Sequence, residues 1–298
     1  MSGNKIVTEQ IIYLKSQNLF TEEYLNFYQK ILTIQHLAQS HINKEVISLL
    51  GKTADIETRL TSGLPLLEKN NIYVDNKFSN FIYQKMFTLF EQYQQQVGAQ
   101  EITKLNAGFK KQAFKTQDLL KNFAAENKEY FLQLAEKIEL EPGLLIFIAR
   151  TMSLPFFRAY GEIFKTYLEN KDIIWQRPFC PLCGNLPALA LLEKEVGKRF
   201  LWCAVCDSQW EFIRVQCPFC LNSDHTRLKY FFTDDESPYR VDVCDHCKRY
   251  LKTFDERKNN SGHIALLSVH EMATLYLDEL AFEEGYDSGL WWKVFDEV

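Results

Sequence analysis

All eight cysteines of this 298-residue chain fall between Cys180 and Cys247, as four Cys-x-x-Cys pairs: Cys180/Cys183, Cys203/Cys206, Cys217/Cys220 and Cys244/Cys247. A two-residue spacer lets one tight turn aim two thiolates at a single cation, and two such pairs complete a tetrahedral shell of four sulfurs. Four pairs therefore supply two shells with nothing left over. The spacings group them. Cys180 to Cys217 and Cys183 to Cys220 are each offset by 37, and Cys203 to Cys244 and Cys206 to Cys247 by 41. A duplicated ribbon produces this arithmetic if the second hairpin carries four additional residues, which cost little there. The expected ligand sets are Cys180, Cys183, Cys203, Cys206 for one ion and Cys217, Cys220, Cys244, Cys247 for the other. Interleaved pairing, first pair with third, would break the repeat.

Four thiolates saturate a tetrahedral ion and leave no position for water or substrate, which disfavours metal-dependent hydrolysis. The first job of such sites is structural, since a ribbon this small folds poorly without a staple. Zinc and iron both suit the four-sulfur shell, and iron would be redox-active. The Cys-Pro-x-Cys opening of both halves favours rubredoxin-like knuckles. Gly184 relieves strain in the first; Leu221 stands at the equivalent place in the second, which is expected to be more strained or differently turned. The histidines (His36, His41, His225, His246, His263, His270) show no ligand spacing, and His246 is expected to face solvent. There is no phosphate-cradling Gly-rich loop and no Gly-x-Ser-x-Gly. The chain does not read as an enzyme.

The elements that position these pairs differ from the rest of the chain. Residues 1–172 contain no cysteine, and their apolar residues fall at helical spacing. Phe78, Phe81, Ile82, Met86, Phe90 and Tyr93 stripe a helix over about 76–95, and Leu25, Tyr28, Ile31, Leu32 and Ile34 another that Thr21 opens. Further helices are expected over 100–124, 128–140 and 143–170, with Glu141-Pro142-Gly143 as a turn and a kink at Pro155. The span 51–76 reads as a long connection. From Ile173 strands and turns take over: 188–192, 199–202 and 210–216 in the first repeat, 228–232, 239–243 and 250–254 in the second. A last helix is expected over 264–284, with Gly285 as its stop. From His263 to Val298 eight acidic residues face one lysine, read as an acidic solvated face.

Composition narrows the partners. With 46% hydrophobic residues the chain can build an ordinary core, and a formal charge of −5 argues against nucleic acid or an anionic membrane as main partner. Residues 173–262 hold 13 Lys/Arg and 12 Asp/Glu. Two metal–tetrathiolate centres, each about −2, would leave that stretch negative. Local clustering of Arg199, Arg214, Arg240, Lys248, Arg249 and Lys252 stays open. No signal-like segment stands at the N-terminus, and the longest apolar run, 144–149, is far short of a membrane span. The expectation is a cytoplasmic protein without stable membrane insertion, whose reduced thiols bind metal rather than form disulfides.

The residues around the cysteines carry a resemblance. Cys180-Pro-Leu-Cys183-Gly184 with Pro187, Arg199-Phe200-Leu201-x-Cys203-x-x-Cys206 with Trp210, Arg214-Val215-x-Cys217-x-x-Cys220, Cys244-x-x-Cys247-x-x-Tyr250-Leu251-Lys252, and Leu277-Asp278 with Gly285-Tyr286 resemble the formate dehydrogenase accessory protein family, FdhE. The match is strong over roughly 175–286 and weaker around Gly63-x-Pro65 and Leu154-Pro155. Ser208-Gln209 and Asp242-Val243 depart from the family's usual residues without removing a ligand.

The resemblance implies an α+β multidomain fold: a helical bundle over 1–172, rubredoxin-like metal domains over 173–215 and 216–262, and an acidic helical segment over 263–298. It also implies a chaperone-like maturation factor that binds the catalytic subunit of a respiratory formate dehydrogenase before export; a homo-oligomer is compatible with it. Trp175, Arg177, Trp202, Trp210, Arg214 and Tyr250 are the candidate partner contacts, since Trp, Tyr and Arg dominate interface hot spots. Against that, Trp202 and Trp210 would serve as ribbon core and Arg214 would pair within the fold. Two other functions compete: a redox protein passing electrons through iron at the four-cysteine sites, and a zinc-ribbon nucleic-acid adaptor.

Overall fold

The computed structural model describes residues 3–16, 18–42, 53–69, 72, 74–169, 175–259 and 266–292. Among these, two compact units form: 3–42 with 68–160, and 53–67 with 161–292. The expected boundaries at 172/173 and 262/263, His263 and the start of the last helix at 264 lie outside the described residues.

The first unit is helical: α1 (Gly3–Ser16), α2 (Glu22–Ser40), α4 (Asn76–Gln92), α5 (Gln94–Val97), α6 (Ala99–Lys110), α7 (Thr116–Ala124), α8 (Lys128–Ile138) and the first part of α9 (Pro142–Glu169). Thr21 opens α2 by accepting the Tyr24 N–H at 3.2 Å. The α4 stripe turns Phe78, Ile82, Met86 and Phe90 inward, all buried. Glu141 caps α9, its two carboxylate oxygens accepting from the Gly143 N–H at 2.8 Å and the Leu144 N–H at 2.6 Å, with Pro142 pre-set in the first turn. No single helix among the described residues is long and apolar enough to cross a membrane.

The helix expected over 100–124 is two. Gln112 takes a left-handed φ of 54°, and the Ala113 N–H returns to the Gly108 carbonyl at 2.9 Å, closing α6. This exit drops Phe114 into the core beside Tyr83 and Phe109, at ring distances of 6.0 and 6.1 Å. Burial of an aromatic decides the break.

The second unit holds one six-stranded sheet. Its strands are β1 (Leu189–Leu192), β2 (Arg199–Trp202), β3 (Gln209–Phe212), β4 (Leu228–Phe231), β5 (Tyr239–Cys244) and β6 (Arg249–Asp255), in the order β3-β2-β1-β6-β5-β4. Each repeat is an antiparallel three-strand meander. The two join where β1 and β6 run parallel, Leu189 opposite Lys252 through Leu192 opposite Asp255. The ribbons thus share a sheet rather than standing side by side. The third strand stops at Phe212, four residues short of the expected 216.

One sheet face buries Leu189, Trp202, Tyr239, Val241, Val243, Tyr250 and Phe254 against Leu277 and Ala281. Those last two belong to the second of the C-terminal helices, α10 (Leu267–Ala273) and α11 (Leu275–Glu283). A single helix was expected here; it breaks at Thr274, whose φ is −118°. The break has a purpose visible in its contacts. Lys252, 1% exposed, donates its ammonium protons to the carbonyls of Glu271 at 2.9 Å and Thr274 at 3.2 Å, and pairs with Asp278 at 2.9 Å. Asp278 therefore leaves the acidic solvated face to become a buried partner. Gly285, at a φ of 81°, ends α11 as expected.

The span 51–76 carries a helix, α3 (Thr53–Thr61), and then an extended stretch. The N–H groups of Leu66 and Leu67 donate to the Pro181 and Leu182 carbonyls at 2.9 and 2.8 Å, laying this stretch along the first knuckle.

Candidate metal centres

All four Cys-x-x-Cys turns have the same local build. The residue after each second cysteine sits in the left-handed region: Gly184 (φ 72°), Asp207 (60°), Leu221 (61°) and Lys248 (56°). Its N–H reaches back to the carbonyl of the first cysteine, at 2.9, 3.0, 3.1 and 2.8 Å respectively. The turn that results faces both sulfurs of a pair the same way. Leu221 adopts the conformation of Gly184 despite its Cβ, so the second ribbon is turned alike and carries the strain.

The pairs close into two groups, Cys180, Cys183, Cys203, Cys206 and Cys217, Cys220, Cys244, Cys247, each with its four sulfurs within 4.8 Å of one another. The grouping is consecutive, not interleaved. Cross-pair sulfur distances are 3.5 Å (Cys180–Cys206) and 3.4 Å (Cys183–Cys203) in the first group, 3.7 Å (Cys217–Cys247) and 3.8 Å (Cys220–Cys244) in the second. A tetrahedron with metal–sulfur bonds of ~2.3 Å has edges of about 3.8 Å. Both groups could hold a metal ion of that geometry.

Electrostatics favour a cation at each. Burial pushes the Cys203 and Cys206 thiols well above their usual value, and the Cys180 and Cys183 sulfurs add to it at both. At Cys183 burial acts the same way but is outweighed by hydrogen bonds from Cys180, Cys203, Cys206 and the Asn185 amide (3.2 Å), which hold it well below. In the second group burial raises Cys217 and takes Cys247 up to about 11, while the backbone N–H groups of Cys247 and His246 overcome burial to lower Cys244. Four adjoining thiols cannot ionise together unaided; a divalent ion would stabilise all four thiolates.

The two groups differ in setting. Every first-group cysteine is at most 2% exposed. The Leu66–Leu67 stretch lies on one side of it, and Gly161 lies so close that a Cβ there would stand 2.5 Å from the Cys206 carbonyl oxygen. In the second group Cys220 and Cys247 are only half-buried. Sequence reasoning missed Gly161 and the Leu66–Leu67 strap; the Gly63-x-Pro65 signal lay beside the strap without showing what it contacts.

These centres invite comparison with known proteins. A family model described as "FdhE, central domain" matches residues 179–214, which carry the first cluster and β1–β3. A protein described as "Protein FdhE homolog" from Aquifex aeolicus (strain VF5) is 26% identical over 280 residues, covering 93% of this chain and 90% of its own length. The chain is similar to FdhE proteins over nearly its whole length. The "Protein FdhE" of Escherichia coli (strain K12) is 32% identical over 114 residues, 37% of this chain and 35% of its own. The crystal structure of the FdhE protein from Pseudomonas aeruginosa matches the fold with a TM-score of 0.57 at 17% identity, covering 95% of this chain and 93% of that one. FdhE architecture therefore spans the chain, while sequence similarity to the enterobacterial relative covers about a third of each protein.

Of the six candidate partner contacts, Trp175, Trp202, Trp210 and Tyr250 are buried within this chain. Trp202 belongs to the core between sheet and C-terminal helices. Trp210 donates its indole N–H to the Arg177 carbonyl at 3.3 Å, and Trp175 donates to the Phe179 carbonyl at 2.7 Å. The Tyr250 hydroxyl donates to Asp278 at 2.7 Å. Arg177 and Arg214 remain exposed. His246 faces solvent, and His270 is buried with Nδ1 2.7 Å from the Tyr239 hydroxyl, so neither stands among the ligands.

Proposed function

We propose that the chain is a non-enzymatic accessory factor that docks on the catalytic subunit of a formate dehydrogenase in the cytoplasm, before export, with a metal ion at each cysteine cluster. The observation that carries this reading is the pair of all-cysteine clusters on one FdhE-type scaffold. Each offers four sulfur donors and no further position, which suits holding a shape and not activating water. The similarity to FdhE proteins supplies the client class. Co-purification tests it: the metal-loaded protein is expected to retain the catalytic subunit from cells in which export is blocked, and failure to retain it with both ions bound would overturn the reading.

The half-buried Cys220 and Cys247 favour a second reading, in which iron at the outer cluster passes an electron to the client. Anaerobically purified protein would then show a reversible iron–thiolate charge-transfer band; purification with zinc alone would overturn it.

A further inference from the structure

The sheet face turned away from the C-terminal helices holds a groove of about 290 Å3 beside the second cysteine cluster. Arg199, Arg214, Arg240 and Arg249 line it, with Tyr230 and Phe219. The local clustering of basic residues that the sequence left open is therefore real for these four, while Lys252 turns to the opposite face. Arg199 is 4% exposed, yet no carboxylate among the described residues pairs with it. One Nη donates to the carbonyls of Ile213 and Gln216, and its buried Nε has no partner among the described residues. Arg214 is exposed and makes no hydrogen bond or ion pair among the described residues. Arg249 lies over Phe219 at 5.6 Å, and Arg240 lies over Tyr230 at 4.8 Å while pairing with Asp242 at 2.9 Å.

Lys229 also lines the groove but is paired with Asp245 at 2.6 Å, so four arginines against Asp242 leave a formal +3, and a divalent ion with four thiolates alongside lowers that to about +1. The groove so loaded matches one or two carboxylates, not a chain of phosphates. Its wall is β4, which among the described residues is an edge of the sheet, paired with β5 alone. On that strand Tyr230 is 58% exposed, and Phe232 just beyond it 38%. An edge strand presents unpaired backbone groups that an extended peptide can satisfy and a nucleotide chain cannot.

We propose that this groove docks an extended, carboxylate-bearing peptide segment of the client, laid along β4 with its acidic side chains on Arg199 and Arg214 and its apolar ones on Tyr230. The proposal rests on the accessory reading for the identity of the client, not for the chemistry of the groove.

Fluorescence anisotropy on the metal-loaded full-length protein tests it, with a labelled peptide of alternating Glu and Val as probe. Saturable binding is expected, weakened about tenfold or more by Arg214→Glu and by Tyr230→Ser, and absent for the alternating Lys and Val peptide. Metal content and unfolding midpoints of the variants show that the fold survives. Equal binding of both peptides, equal binding by the variants, or no binding would overturn the proposal. So would a single-stranded oligonucleotide that binds at this groove in the peptide's place. Retention of the formate dehydrogenase subunit by both variants at full strength would remove the groove and leave the accessory reading standing. Peptide binding without any subunit retention would do the reverse.

Discussion

Pro155 removes the N–H that would have bonded the Thr151 carbonyl four residues earlier in α9. The helix nevertheless continues, because the Gln35 side-chain amide donates to that carbonyl at 2.9 Å, while Gln35 Oε1 accepts from Arg158 at 3.3 Å. All of Gln35 but 3% is buried. Gln35→Leu would strand the carbonyl, and chemical denaturation is expected to report a loss of about 1–3 kcal/mol. The knuckles offer a matching pair of residue-scale tests. Gly184 and Leu221 hold the same left-handed backbone at equivalent positions. In the metal-loaded protein Gly184→Ala should cost about 1 kcal/mol, and Leu221→Gly should gain a similar amount, less the entropy that glycine adds to the unfolded chain. Opposite signs in urea midpoints would establish the shared turn; the same sign for both would contradict it. The sequence showed the strain at Leu221 as a question of one residue type. It could not show Gln35, since nothing in the spacing of a lone glutamine links it to a proline 120 positions on.

At the scale of elements, the C-terminal helices meet the sheet through an apolar core and one buried ion pair. Lys252 reaches Asp278, whose other oxygen accepts from Tyr250, and the ammonium also donates to the Glu271 and Thr274 carbonyls on either side of the break. Lys252→Met alone leaves Asp278 buried without its cation and is expected to cost about 3–5 kcal/mol, while Lys252→Met with Asp278→Leu should recover most of it. Equilibrium unfolding of the single and double variants measures both. A single variant near wild-type stability would mean that the helices are held by apolar contacts alone. Much of the element plan was legible: alternation gave the strands, the 37 and 41 offsets gave the repeat, and Gly285 gave the stop. The breaks at Gln112 and Thr274 were not, because each is set by a tertiary partner, Phe114 in one case and Lys252 in the other. The joining of β1 to β6 was equally hidden. Parallel pairing between repeats depends on which edges meet, and side-chain alternation is blind to that.

For the whole molecule, the clusters are alike in ligands and unlike in shelter. The first is enclosed among the knuckles, Gly161 and the Leu66–Leu67 strap; the second borders the groove through Cys217 and Cys244 and leaves Cys220 and Cys247 half-buried. A competing chelator is therefore expected to remove one ion readily and the other at least about tenfold more slowly, since access and not ligand chemistry separates the sites. Mass spectrometry of the alkylated cysteines should find Cys220 and Cys247 labelled first; uniform labelling of all eight would contradict the asymmetry. The candidate metal residues were legible because metal chemistry imposes local spacing. Burial was not legible in the same way: residue type alone marks Trp175, Trp202 and Trp210 equally as core or as contact surface, and the fold buries all three.

The consecutive assignment of two saturated four-cysteine centres underlies the scaffold, the groove's charge and the proposed docking role. Metal analysis of anaerobically purified protein tests it most directly. Wild type is expected to hold two ions per chain. The variant with Cys180, Cys183, Cys203 and Cys206 all changed to Ser, and the variant with Cys217, Cys220, Cys244 and Cys247 changed likewise, should each hold one. Two ions in the wild type but none in either variant would mean that the pairs are interleaved or interdependent, and would contradict the account.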